Sequence, residues 1–108
     1  MSEFEIVKFQ LITHCFISGT HLNETELNIL TFLGMKGEIR LIDFCKEAAE
    51  KEYLSSHTAV NNCLLRIAKS NLFLKKGAGK KLIYLNPNLN IQARGTILLN
   101  YKFVKVES

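Results

Sequence analysis

The chain has 108 residues, 47% of them hydrophobic, with six glycines and one proline, which fits one compact domain with a single core. Three distant cysteines (Cys15, Cys45 and Cys63) form no Cys-x-x-Cys pair, which excludes a disulfide framework and a zinc signature, and no apolar run approaches the roughly 20 residues that cross a bilayer. The net charge of +4 is modest but unevenly spread: Met1 to Glu52 carries nine acids against five cations, whereas Tyr53 to Val106 carries nine cations and no acid.

A chain of two signs suggests a field aimed at a polyanion on one side, although a dipolar surface without a partner has the same composition. The acids of the first half are expected to lie away from the basic face. Cysteines of this kind are expected to be reduced thiols in a cytoplasmic protein. The opening Met1-Ser2-Glu3-Phe4-Glu5 has acids where a signal peptide needs cations.

The first segment, Phe4 to Ile17, is ambiguous. Phe4, Val7, Leu11 and Cys15 follow a helical stripe, yet Phe4-Ile6-Lys8 and Phe9-Leu11-Thr13 read as extended, and only length favours helix. The next element is better marked. Asn23-Glu24-Thr25-Glu26 has capping-box spacing, with Leu22 and Leu27 at the staple positions. Leu27, Ile29, Leu30, Phe32 and Leu33 then predict a broadly buried helix ending near Gly34 and Gly37. Glu38-Ile39-Arg40 reads as a short strand. A second helix follows from Leu41 to about Glu52, with Leu41, Phe44, Cys45 and Ala48 as its core stripe.

Leu54-Ser55-Ser56 supplies hydroxyls that cap a third helix, His57 to about Ser70. At 100° per residue, Val60, Cys63, Leu64 and Ile67 fall on one side, and Thr58, Asn61, Asn62, Leu65, Arg66 and Lys69 on the other. Amides, a hydroxyl and cations are the groups that bond base edges and phosphates. Leu72 to Lys76 predicts a strand, Gly77-Ala78-Gly79 a turn, and Lys80 to Leu85 the returning strand, stopped by Asn86-Pro87. Beyond it, Ile97, Leu99, Tyr101 and Phe103 alternate with Leu98, Asn100 and Lys102 as a further strand. So apolar a strand must join the domain's own sheet, pack on the Phe4–Ile17 segment, or pair across a two-fold axis.

Helix, short strand, helix, tight turn, helix and two-stranded wing over residues 22–87, about two-thirds of the chain, resemble a winged helix-turn-helix domain. Leu22-Asn23-Glu24-Thr25-Glu26-Leu27 resembles the "Leu-Ser-x-x-Glu" helix entry of MarR-type regulators and of winged-helix plasmid and phage replication proteins. Tyr84-Leu85-Asn86-Pro87 resembles the end of the wing in those replication proteins. The resemblance implies an α+β fold, a three-helix core plus a two-stranded wing, with residues 1–21 and 88–108 as packing or dimerisation extensions of one domain. It implies double-stranded DNA binding in transcription regulation or replication. Ser56, His57, Thr58, Asn61, Asn62, Arg66 and Lys69 would lie on the reading helix, and Lys75, Lys76, Lys80 and Lys81 on the wing. A single Arg on the helix, and Leu65 amid its polar side, depart from the pattern of many groove readers.

Other chemistries fit less well. Gly77-Ala78-Gly79-Lys80 lacks the upstream glycine of a phosphate loop, has Lys81 where Ser or Thr binds magnesium, and precedes a strand. His14-Cys15 and His57…Cys63 miss the usual metal spacings, and no carboxylate pair has a setting that splits its pKa values. No catalytic group, metal, cofactor, small-molecule substrate or membrane contact is therefore expected. The alternatives to duplex DNA are a winged helix used only as a protein–protein module, and single-stranded or RNA binding. The last has Tyr84 as its one stacking aromatic on the wing.

Overall fold

The computed structural model describes residues 2–91, and the strand expected after residue 95 lies outside them. The first segment is a helix, α1 (Glu3–Ser18). Ser2 Oγ accepts the Glu5 N–H, and the Glu5 carboxylate accepts the Ser2 N–H, a reciprocal cap that satisfies two orphan donors. Donation to its oxygen from the Ser2 backbone N–H first, and then from the Ser2 hydroxyl at 3.0 Å, holds the Glu5 carboxyl below its ordinary value. Ile6, Val7, Leu11 and Cys15 are buried, and Phe4 stacks on Tyr53 at 5.9 Å between ring centroids. The helix satisfies its backbone internally and lays one face on the next element.

That element, α2 (Glu24–Lys36), opens as its spacing predicts. Asn23 Oδ1 accepts the Glu26 N–H at 2.8 Å, and the Asn23 N–H donates to Glu26 at 2.9 Å. Ile29, Leu30, Phe32 and Leu33 are buried on it. Gly37 is the C-cap, with φ +73°, where a residue without a Cβ sits free of strain. Gly34 does not end the helix. A Cβ there would lie 2.7 Å from Leu85 Cδ1 and 2.9 Å from Val7 Cγ1, so the residue is the point where three elements close together.

The two-residue strand β1 (Ile39–Arg40) leads directly into α3 (Leu41–Glu50). The sequence pattern extends α3 to Glu52, but Glu52 has φ +61° and ends it two residues earlier, where Tyr53 N–H turns back to Ala48 O at 3.1 Å. Helix α4 (His57–Ile67) follows, capped by Ser56 Oγ, and a 3-10 turn at Ala68–Ser70 finishes it. Strands β2 (Phe73–Lys76) and β3 (Leu82–Leu85) form an antiparallel hairpin, and β1 adds to the far side of β3, in the order β1-β3-β2. Lys80 and Lys81, expected to open the second strand, belong to the turn, because Gly77, Gly79 and Lys80 all have positive φ.

Asn86 closes the hairpin base. Its N–H donates to Leu72 O at 3.0 Å, its Nδ2 donates to Asn71 O at 2.9 Å, and its Oδ1 accepts the Asn88 N–H. The fold over the described residues is α+β, with four helices and a three-stranded antiparallel sheet around one core. Phe44, Leu30, Leu33, Val60, Ile67 and Ile83 are among its fully buried side chains. Cys15, Cys45 and Cys63 are free and buried, and burial pushes each thiol's pKa up. Among the described residues no helix is long and apolar enough to cross a membrane.

Candidate nucleic-acid interface

Helix α4 divides as its period requires. Val60, Cys63, Leu64 and Ile67 are buried, while His57, Thr58, Asn62, Leu65 and Arg66 are exposed and Asn61 is half-buried; Lys69, expected on the helix, is exposed in the 3-10 turn that follows it. The buried side is all apolar, so hydrophobic burial fixes the helix rotation and leaves the polar side in water. Ser56 Oγ is occupied by the Ala59 N–H at 3.1 Å, so this hydroxyl serves first as a cap.

The turn of the hairpin comes to the start of this helix. Leu41 N–H donates to Lys81 O at 2.7 Å, tying the turn to the beginning of α3, and Lys80 N–H closes the turn on Gly77 O at 2.9 Å. Between turn and helix lies an open groove of about 640 Å³. His57, Thr58 and Asn61 of α4 line it together with Gly79, Lys80 and Lys81 of the turn. The rest of its lining comes from the β1–α3 junction and α3, where Arg40 adds a third cation and Leu41, Ile42 and Cys45 add apolar surface. No Asp or Glu lines it. Asp43 nonetheless reaches Arg40, accepting from its Nε at 2.8 Å.

Six of the eleven site residues expected from sequence thus meet at or beside one groove: Ser56, His57, Thr58, Asn61, Lys80 and Lys81. Asn62, Lys69 and Lys75 are exposed outside its lining. The last two of the eleven are engaged elsewhere. Arg66 Nε stands 3.7 Å from Glu26 of α2, and Lys76 Nζ is 2.6 Å from Glu38, just before β1. Hydrogen bonding to Glu38 raises the Lys76 pKa, and the same ammonium sits 5.4 Å over the Tyr84 ring. Lys75 and Lys76, adjacent in a strand, point to opposite sheet faces and do not act as a pair.

The expectation that the acids lie away from the basic face is therefore corrected. Packing α2 and β1 beside α4 and the hairpin brings Glu26 and Glu38 to two of the cations. Arg40 and Ile42 were not legible as site residues. The pairing of β1 with β3 and the Leu41 N–H bond to Lys81 O place the β1–α3 junction at the groove, and no spacing in the sequence signals it. Tyr84 is half-buried and covered by a cation on one side, so it is no free stacking platform. Among the described residues no three His, Cys, Asp or Glu side chains come together to hold a metal.

No protein family, curated protein or solved structure matches the chain.

Proposed function

We propose that the chain is a winged helix-turn-helix protein that binds double-stranded DNA, in transcription regulation or replication in the cytoplasm, without catalysis or cofactor. The order α2, β1, α3, α4, β2, β3 with sheet order β1-β3-β2 supports the fold reading. One observation carries the function: the start of α4, through His57, Thr58 and Asn61, and the lysine turn, through Gly79, Lys80 and Lys81, line a single groove that no Asp or Glu lines. In this reading α4 presents Thr58, Asn61 and Asn62 to base edges near its start, while Lys80, Lys81, Lys75 and Lys69 meet the phosphate backbone. Asn bonds adenine bidentately, its amide oxygen accepting from the N6 amine and its amide nitrogen donating to N7, a contact worth roughly 1–3 kcal/mol of discrimination.

The test is a binding-site selection from random duplex, run with the wild type and with Asn61→Ala. The wild type should enrich a sequence, and Asn61→Ala should flatten the preference while keeping non-specific affinity nearly intact. If the wild type enriches nothing and binds no duplex even at low salt, the DNA reading fails.

A second reading, a protein–protein module, is favoured by Ile42 and Leu65. Both are large apolar side chains left more than half exposed, one at the groove and one on the outer side of α4. Leu65→Lys separates the two. On a DNA face the added cation should leave or strengthen non-specific binding, whereas in a protein contact it should abolish the partner.

A further inference from the structure

Helix α1 is apolar on two opposite sides. Its inner side, Val7, Leu11 and Cys15, belongs to the core, while on its outer side Phe9 is 60% exposed, Ile12 45%, Phe16 87% and Ile17 78%. At 100° per residue, Phe9, Ile12 and Phe16 fall within a stripe about 60° wide. Their spacing of three and then four is the a/d seam by which one helix packs against another. A fully buried aromatic contributes roughly 150–250 Å², so Phe9, Ile12 and Phe16 together leave roughly 350 Å² of apolar surface in water, close to half of the ~800 Å² each partner supplies to a standard interface. Ile17 lies about 80° outside the stripe.

We propose that this stripe is the contact between two copies of the chain, their α1 helices antiparallel about a two-fold axis beside Ile12 and Thr13. Two features favour a second copy over a partner of other chemistry. The stripe is self-complementary: a two-fold at that point sets Phe9 of one copy against Phe16 of the other and Ile12 of one against Thr13 of the other, so both copies of Ile12 and Thr13 lie beside the axis. Its centre is also uncharged, since Phe9 to Asn23 contains no Asp, Glu, Lys or Arg, and Glu5, on the same side one turn before Phe9, lies away from the axis. A two-fold axis brings like residues together, and a charge at its centre would repel itself. The inference does not rest on the DNA reading, because α1 contributes no residue to the groove.

The test uses the full chain. Sedimentation across micromolar to sub-millimolar concentrations should find a reversible dimer. Phe16→Glu should weaken it by at least about tenfold with the melting temperature kept, since that side chain touches little within its own copy. Thr13→Cys should form a disulfide-linked dimer under mild oxidation, whereas Glu50→Cys on α3 should not. The three native thiols are buried and leave the wild type as an uncross-linked control. A wild type that stays monomeric overturns the proposal and assigns the stripe to residues 92–108 or to another partner. A dimer that survives Phe16→Glu and Phe9→Glu, or one that Thr13→Cys fails to link, overturns it equally. Should Phe16→Glu unfold, the Thr13→Cys cross-link alone decides.

Discussion

Exposed ion pairs contribute little to stability, because water screens both partners and the long side chains lose freedom in holding one geometry. The Lys76–Glu38 pair, about half exposed on each side, belongs to this class. Its interest lies in competition: in the DNA reading a backbone phosphate and Glu38 contend for one ammonium. Glu38→Gln should therefore raise non-specific duplex affinity by about two- to threefold, the scale of a surface pair. The salt dependence should steepen by about one unit in slope as one more phosphate is neutralised. Glu50→Gln removes the same charge from an exposed residue of α3 outside the groove lining, and fluorescence anisotropy on the two variants separates the effects. Equal gains from both would mean that Lys76 takes no part in binding. The Arg66–Glu26 pair, at 3.7 Å, is looser and holds its cation less firmly.

At the scale of elements, the junction of α1, α2 and β3 depends on one missing side chain. Exchanging an ordinary helical Gly for Ala gains up to about 1 kcal/mol in helix propensity. At Gly34 the new methyl meets Leu85 and the stiff, buried Val7 inside van der Waals distance, and overpacking of this kind costs about 1–3 kcal/mol. The cost wins. Gly34→Ala should destabilise the fold by about 1 kcal/mol, seen as a fall of about 4–8 °C in melting temperature. A rise instead would show that Leu85 swings aside without loss. The same close approach explains how the end of the hairpin is held, since Leu85 packs against the core and Asn86 ties the hairpin base.

For the molecule as a whole, charge sets the range of attraction and shape sets where it acts. If the groove and wing engage about four to six phosphates, log K for duplex should fall against log salt with a slope of roughly −4 to −5. Lys80→Ala with Lys81→Ala should make that slope shallower by about two, for all sequences alike. Both side chains are exposed in the turn, so the melting temperature should barely move. Normal binding by the double variant would remove the turn from the interface. Should the α1 pairing and the DNA reading both hold, two α4 helices would be carried on one two-fold assembly, and the selected site should be an inverted repeat.

What the sequence determined by itself is whatever is decided within one element. The Asn23–Glu26 cap, the stops at Gly37 and Asn86, and the division of α4 into wet and buried sides each follow from neighbours a few residues apart. They needed no knowledge of the rest. Helix α1 resisted the same treatment for a physical reason: apolar residues on two opposite sides cancel the periodic contrast by which an amphipathic helix is recognised. Its state was decided by α2, which buries one of those sides. Tertiary structure alone decided three further matters: that Arg40 and Ile42 border the groove, that Glu26 and Glu38 reach the basic side, and that Gly34 is a point of contact rather than a helix end. Each depends on residues far apart in the chain meeting through packing, and periodicity carries no record of which distant side chains will meet.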